Sequence, residues 1–242
     1  MLAKVNERYI IEYSIKTITP LHIGSGERID IPKIDLPILR LSDGTIFIPG
    51  SSIKGVVRSE LEEITSGLGF KICIENRGWD PVYSCSEEKH CISCALFGST
   101  EMSSRVFFRD AYVSQDKGVF IKPGIAINRE SKTTRKGSLF TSEYVNPGTI
   151  FKSEIVFLNP EPGMLGLLFL TLKSVKSIGG HVSRGAGKIE INIEKIVVET
   201  PQTIVGLKSP VVYTGEELKK FIEKCEEEFR IRIDDMRKKY VP

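Results

Sequence analysis

Cys85, Cys91 and Cys94 fall in one short polar stretch, Cys85-Ser86-Glu87-Glu88-Lys89-His90-Cys91-Ile92-Ser93-Cys94. Cys91 and Cys94 have the two-residue separation at which paired thiolates hold a tetrahedral zinc ion, and Cys85 supplies a third sulfur. The fourth ligand is His90 or Cys73. His90 is placed ahead, although ligation by adjacent residues is sterically awkward. Such a centre is structural, fastening a segment poor in apolar residues. Free thiols are the competing reading, as is a disulfide if the composition reflects a thermophile. Cys225 stands apart in a charged stretch.

A second constellation is Gly179-Gly180-His181-Val182-Ser183-Arg184-Gly185-Ala186-Gly187-Lys188. Its glycines let a ligand approach the main chain, and successive amides in such a turn make a concavity for an anion. Arg184 and Lys188 add positive charge. No Lys-Ser or Lys-Thr pair follows the last glycine, and a strand rather than a helix comes next. The loop is therefore neither a triphosphate-binding loop nor a dinucleotide fingerprint. A tight helix-to-strand turn is the competing reading.

Its counterpart is Pro49-Gly50-Ser51-Ser52-Ile53-Lys54-Gly55. This segment opens a helix, where free amides and the dipole favour anions. Ser51 or Ser52 is expected to cap the helix. Lys54 and Arg58, four apart, share one helix face.

These residues need a scaffold. Alternation predicts a first strand over Tyr9–Ile18. Ser42-Asp43-Gly44 predicts a hairpin between Leu36–Leu41 and Thr45–Ile48. Ile53, Val56, Val57, Leu61 and Ile64 recur at helical spacing, and Gly67 and Gly69 close that helix. Strands are expected at Arg105–Val113, Gly118–Ile121, Ser138–Val145, Thr149–Leu158 and Ile189–Val198. Met164–Val175 reads as a buried helix despite Gly166, and Thr214–Tyr240 as a charged helix broken near Phe229–Ile233.

The order is α+β and approaches a ferredoxin-like, RRM-like βαββαβ core with insertions. One domain is expected over residues 1–200, with insertions at about 67–104 and 122–148 and a helical extension over 201–242. The 242 residues carry 34 Lys and Arg against 31 Asp and Glu, a formal net charge of +3 that neither requires nor excludes nucleic acid. No apolar run is long enough to cross a bilayer, and Met1-Leu2-Ala3-Lys4 lacks a signal-peptide pattern. A soluble, cytoplasmic protein with no membrane partner is expected.

Four motifs in order carry a resemblance: Leu21-His22-Ile23-Gly24-Ser25-Gly26, Ile34-Asp35-Leu36-Pro37-Ile38, Pro49 to Gly55, and Gly179 to Gly187. Cys94-Ala95-Leu96-Phe97-Gly98-Ser99 and the region 124–148 fit as well. Over roughly Tyr9–Val198 the chain resembles the RAMP superfamily of CRISPR effector proteins. More narrowly, it resembles the repeating backbone subunit of type III interference complexes.

That resemblance implies an RRM-like fold that binds guide RNA through its phosphates. Ser51, Ser52, Lys54 and Arg58 would contact the guide from one side. Gly179, Gly180, His181, Ser183, Arg184 and Gly185 would contact it from the other, with His22 beside the RNA path. Residues 122–148 resemble a projecting β-hairpin thumb that wedges between guide and target, its tip carrying Arg129, Lys132, Thr133, Thr134 and Arg135. Asp35 matches the family's target-cleaving aspartate, which acts with Mg2+ or Mn2+, and Asp30 is its competitor. Structural Zn2+ is common at the cysteine cluster of related subunits.

The implied partners are guide (CRISPR) RNA, target RNA, copies of the chain in a filament and other CRISPR effector subunits. Arg105-Val106-Phe107-Phe108-Arg109 lacks the RNP1 pattern, so base stacking on the sheet is not expected. Two alternatives stay open: the same scaffold without catalysis, and a metal-independent guide-processing endoribonuclease using a histidine such as His22.

Overall fold

The computed structural model describes residues 4–24, 34–73, 85–128 and 130–242, without the side chains of 126–127 and 135–138. In chain order its elements are β1 (Arg8–Thr17), β2 (Phe47–Ile48), α1 (Gly50–Gly67), α2 (Ile92–Phe97), β3 (Val106–Phe108), β4 (Ala111–Gln115) and β5 (Val119–Ile127). They continue with β6 (Thr134–Val145), β7 (Ile150–Leu158), α3 (Met164–Ser174), β8 (Ile189–Glu199), α4 (Pro201–Ile204), β9 (Val211–Tyr213) and α5 (Gly215–Lys239).

The chain is a mixed α/β protein with antiparallel sheets. The main sheet has the order β2-β4-β7-β1-β8-β9, with β3 also paired to β7, while β5 and β6 form a separate two-stranded ribbon. Strand β1 sits centrally, paired with β7 on one edge and β8 on the other, and its pattern has period two. Ile11, Tyr13 and Ile15 are buried on one face, and Glu12 and Lys16 lie on the other. In α1, Ile53, Val57 and Leu61 repeat every four residues and are buried against the sheet. Burial of each such side chain contributes about 1.5–3 kcal/mol.

Helix α3 is apolar on nearly all sides because it has neighbours on nearly all sides. It touches α1 and β8, and α5 lies across it. Gly166 is what lets α5 settle there. A Cβ at that position would lie 2.0 Å from the Cys225 carbonyl oxygen, so the two backbones approach too closely for any other residue. Among the described residues no helix is long and apolar enough to cross a membrane.

Four local expectations change. Helix α5 runs unbroken from Gly215 to Lys239, because Leu218, Ile222, Cys225, Phe229 and Met236 keep one buried stripe through the expected break. At Ser42–Gly44 the hairpin keeps the Arg40–Ile46 bridge and a 2.9 Å bond from the Leu41 amide to the Thr45 carbonyl, but goes no further, since Leu36 and Ile38 bridge to Ser142 and Gly24 and β2 pairs with β4. The strand expected over Arg105–Val113 splits into β3 and β4 at Arg109-Asp110. There Asp110 turns to accept a 2.7 Å hydrogen bond from the Gly50 amide. Neither Ser51 nor Ser52 caps α1: Pro49 holds the cap position and both serines lie in the first turn.

Candidate nucleic-acid interface and metal centre

The glycine loop is stitched to the segment that follows β1. The Gly180 amide donates to the His22 carbonyl at 2.8 Å and the Gly187 amide to the Pro20 carbonyl at 2.7 Å. Arg184, Gly185 and Ala186 donate within the loop itself. Gly179 has φ +87° and packs on the His22 carbonyl so tightly that a Cβ would lie 2.5 Å from its oxygen. Most of the amides expected to cradle an anion are therefore engaged within the fold. The outward donors are side chains: Ser183, Arg184 and Lys188 are exposed.

Beneath the loop lies a cluster of rings. His22 is buried, its Nδ1 is 2.8 Å from the Glu143 carbonyl, and its ring stacks on His181 at 5.0 Å. His181 is half-buried, and its Nδ1 is 2.7 Å from the Tyr144 hydroxyl. Burial lowers the His181 pKa, and the neighbouring charges of His22, Arg184 and Lys122 lower it further. The surroundings of His181 are thus already electropositive.

The helix start differs from its expected role. The Gly50 amide is held by Asp110, and the Ser52 and Ile53 amides donate to the Pro49 carbonyl. Half-buried Lys54 reaches Ser104 Oγ at 3.3 Å, and its pKa is lowered by burial and then by the charge of Arg58. A groove of 290 Å³ does separate α1 from the glycine loop. Its walls are Gly55, Ser59, Glu60 and Glu63 against Lys176–Gly179 and Val182, so Ser52 and Lys54 do not line it. Arg58 turns the other way, toward Glu62, Gly98 and Cys94.

Asp35 sits at the side of the β5–β6 ribbon. Its Oδ2 accepts hydrogen bonds from the Thr141 amide at 2.7 Å and the Thr141 hydroxyl at 3.0 Å. The Asp35 amide donates back to Thr141 Oγ1 at 3.1 Å. Two residues on, buried Glu143 pairs with Arg40 at 2.6 Å and accepts from the Ile38 amide. One face of β6 therefore fixes the Asp35 segment, and the opposite face, through Tyr144, fixes His181. Period-two alternation made those faces legible, but nothing in the sequence said which loop each would meet. Thr141, Glu143, Tyr144 and Asp110 are the positions that sequence reasoning missed. Thr133 and Thr134 lie at the far end of the ribbon, where β6 begins, and Arg135 lies in β6 with its side chain outside the description. Asp30 and Arg129 lie outside the described residues.

The sulfurs of Cys73, Cys85, Cys91 and Cys94 all lie within 4.8 Å of one another, and all four residues are buried. Cys73 Sγ is 3.4 Å from Cys91 Sγ and 3.3 Å from Cys94 Sγ. Around a tetrahedral zinc with bonds near 2.3 Å, sulfurs stand about 3.8 Å apart. The four-thiol set therefore fits a metal such as zinc. His90 is not part of it: its Nδ1 faces the Ser86 carbonyl at 3.2 Å and its ring packs on Tyr240. Cys73, brought back over Cys91 by the chain after α1, completes the four-thiol set. Hydrogen bonds from Cys94 pull the Cys91 thiol below its ordinary range, despite burial.

A family model described as the RAMP superfamily matches residues 14–190, well over half of the chain. The chain belongs to the RAMP superfamily. Within it, the chain is similar to the CRISPR system Cms endoribonuclease Csm3 of Methanocaldococcus jannaschii. The two are 31% identical over 216 residues, which cover 82% of this chain and 84% of the relative. It is similar also to the proteins of the same name from Methanothermobacter thermautotrophicus and Enterococcus italicus. Each is 28% identical, covering 80% and 79% of this chain and 87% and 91% of those relatives. The RAMP match runs from within β1 to the start of β8, so it takes in β6, the glycine loop and the cysteine cluster together.

Proposed function

We propose that this RAMP protein is a guide-RNA-binding backbone subunit of a type III CRISPR interference complex that also cleaves complementary target RNA. Its relatives carry the name of a CRISPR endoribonuclease. The observation that carries the reading is the shared footing on β6. Thr141 holds Asp35 on one face, and Tyr144 holds His181 of the glycine loop on the other. A carboxylate and an electropositive loop are thereby fixed to one short strand segment.

In this reading the core is ferredoxin-like. The order β4-β7-β1-β8, with α1 and α3 as the two crossovers, supports it. Ser183, Arg184 and Lys188 contact guide phosphates, with Ser52 and Lys54 further along the same path. Contacts to phosphate leave sequence reading to base pairing. The β5–β6 ribbon is the thumb between guide and target. The four cysteines hold structural zinc. Copies of the chain and other effector subunits are its protein partners, in the cytoplasm.

For cleavage, the ribose 2′-hydroxyl beside the scissile phosphate loses its proton to solvent and attacks phosphorus to form a 2′,3′-cyclic phosphate, and the 5′-oxygen leaves and takes up a proton from solvent. Asp35 is a hard oxygen donor suited to Mg2+ or Mn2+, and such an ion, when bound, stabilises the charge developing on the phosphoryl oxygens. Thr141 orients the carboxylate, and the ribbon positions the target strand against it. Burial of His22 beneath His181 argues against the metal-free histidine alternative.

The test uses the assembled complex with complementary target RNA, in magnesium or in chelator. Magnesium-dependent cuts that vanish in Asp35→Asn while guide and target binding persist are expected. Unchanged cutting in that variant refutes the Asp35 role.

A further inference from the structure

His22, Lys122, His181 and Arg184 gather where the glycine loop meets β5 and the segment after β1. Lys122, His181 and Arg184 line one open cavity. His22 lies behind them, its ring within 10° of parallel to that of His181 and 5.0 Å away. Each of these side chains can carry positive charge, and among the described residues no carboxylate is one of the charges acting on His181. Glu143, next along β6, turns its carboxylate to Arg40 and offers His22 only its carbonyl. A cationic cluster with no counter-ion of its own attracts an external anion.

The surroundings of His181 suit either charge state of its ring. Its Nδ1 lies 2.7 Å from the Tyr144 hydroxyl. A hydroxyl donates to a neutral imidazole nitrogen and accepts from an imidazolium N–H, so this bond survives protonation. The His22 Nδ1 instead faces a carbonyl, which only accepts, so that nitrogen keeps its hydrogen. His22 is also buried, whereas His181 is half-buried at the cavity. Of the two rings, His181 is the one that solvent protons and an anion reach.

We propose that RNA binding at the glycine loop is coupled to protonation of His181, which takes up a proton from solvent as a backbone phosphate docks beside Arg184 and Lys122. The inference rests on the RNA-binding reading and adds a proton linkage to it. Without RNA, burial and the charges of His22, Arg184 and Lys122 hold the His181 pKa below its ordinary 6.5. A phosphate in the cavity supplies the opposite charge and raises it. Affinity is therefore greatest below the pKa of the free protein, falls as pH rises through the pKa of the complex, and is flat above that.

The experiment titrates the full chain, at fixed ionic strength, with a uridine-only RNA lacking terminal phosphates, which does not itself titrate between the two pH values compared. A rise of about one pKa unit in the complex makes binding about tenfold tighter at about pH 5 than at about pH 8. His181→Asn removes the titrating ring while tolerating the left-handed backbone there, φ +61°, and is expected to flatten the profile. Calorimetry of the unaltered chain, between those two pH values and in two buffers of different ionisation enthalpy, is expected to show proton uptake on binding. A flat profile in the unaltered chain, an equally steep one in His181→Asn, or equal heats in the two buffers overturns the linkage while RNA binding stands. If the unaltered chain binds the RNA at neither pH, the RNA-binding reading falls with it.

Discussion

Arg58 sits on the helix expected to grip RNA, yet its guanidinium faces the cysteine centre. Nη2 lies 3.6 Å from Cys94 Sγ, Nη1 is 3.4 Å from the Gly98 carbonyl, and Nε is 2.9 Å from Glu62 Oε1. Glu62 Oε1 also accepts from the Ser93 hydroxyl at 2.6 Å. Four thiolates around one Zn2+ would leave a net charge of −2, which Arg58 would offset from the side. At an effective dielectric of about 20, a unit charge pair near 4 Å is worth about 4 kcal/mol, and Glu62 cancels much of that. A remainder of about 1–3 kcal/mol agrees with the ten- to hundredfold loss of metal affinity usual when an outer partner of a ligand is removed. Arg58→Gln should therefore weaken zinc by about ten- to a hundredfold in competition with a chromophoric chelator. Its RNA affinity should keep the wild-type salt slope. Arg58→Lys, with charge but no fork, should fall between the two. Unchanged zinc affinity together with a salt slope lowered by about one would refute the reasoning and return Arg58 to the RNA.

Further outcomes follow from the same geometry. Thr141→Val removes the hydroxyl that orients Asp35 and should cut target cleavage by roughly ten- to a hundredfold with guide binding unchanged; equal loss of both would point to a collapsed ribbon. Cys73→Ser should release zinc measured by elemental analysis, whereas His90→Ala should retain it; the opposite pattern would restore His90 as a ligand. Burial raises the Glu161 carboxyl, but Lys239, Tyr240 and the charge of Arg105 overcome it and hold the group at about 2, against an ordinary 4.5. The stabilisation is whole above pH 4.5 and is lost as pH falls toward 2. The stability gap between wild type and Glu161→Gln in denaturant titrations should thus be wide at pH 7 and narrow at pH 3; a constant gap would show that the pairing of α5 to Glu161 is not linked to its charge.

Local pattern carried a good part of this protein. Alternation of Ile11, Tyr13 and Ile15 with Glu12 and Lys16 identified β1, and the four-residue repeat of Ile53, Val57 and Leu61 identified α1. These signals are short-range and depend only on which faces are apolar. The spacing of Cys91 and Cys94, also a short-range signal, marked a candidate metal centre. Its fourth corner did not follow, because Cys73 is distant in sequence and only the return of the chain after α1 brings it to the sulfurs. Arg58 was equally undetermined: one helix face offers it either RNA or thiolate, and the neighbour that packs there decides. The split at Asp110 and the unbroken α5 were likewise settled by packing over long separations, which outweighs local propensity. Above all, the sequence named Asp35 and the glycine loop as separate motifs. Their common footing on β6, through Thr141 on one face and Tyr144 on the other, exists only in the tertiary structure, because a strand places successive side chains on opposite sides and the fold alone selects what each side meets.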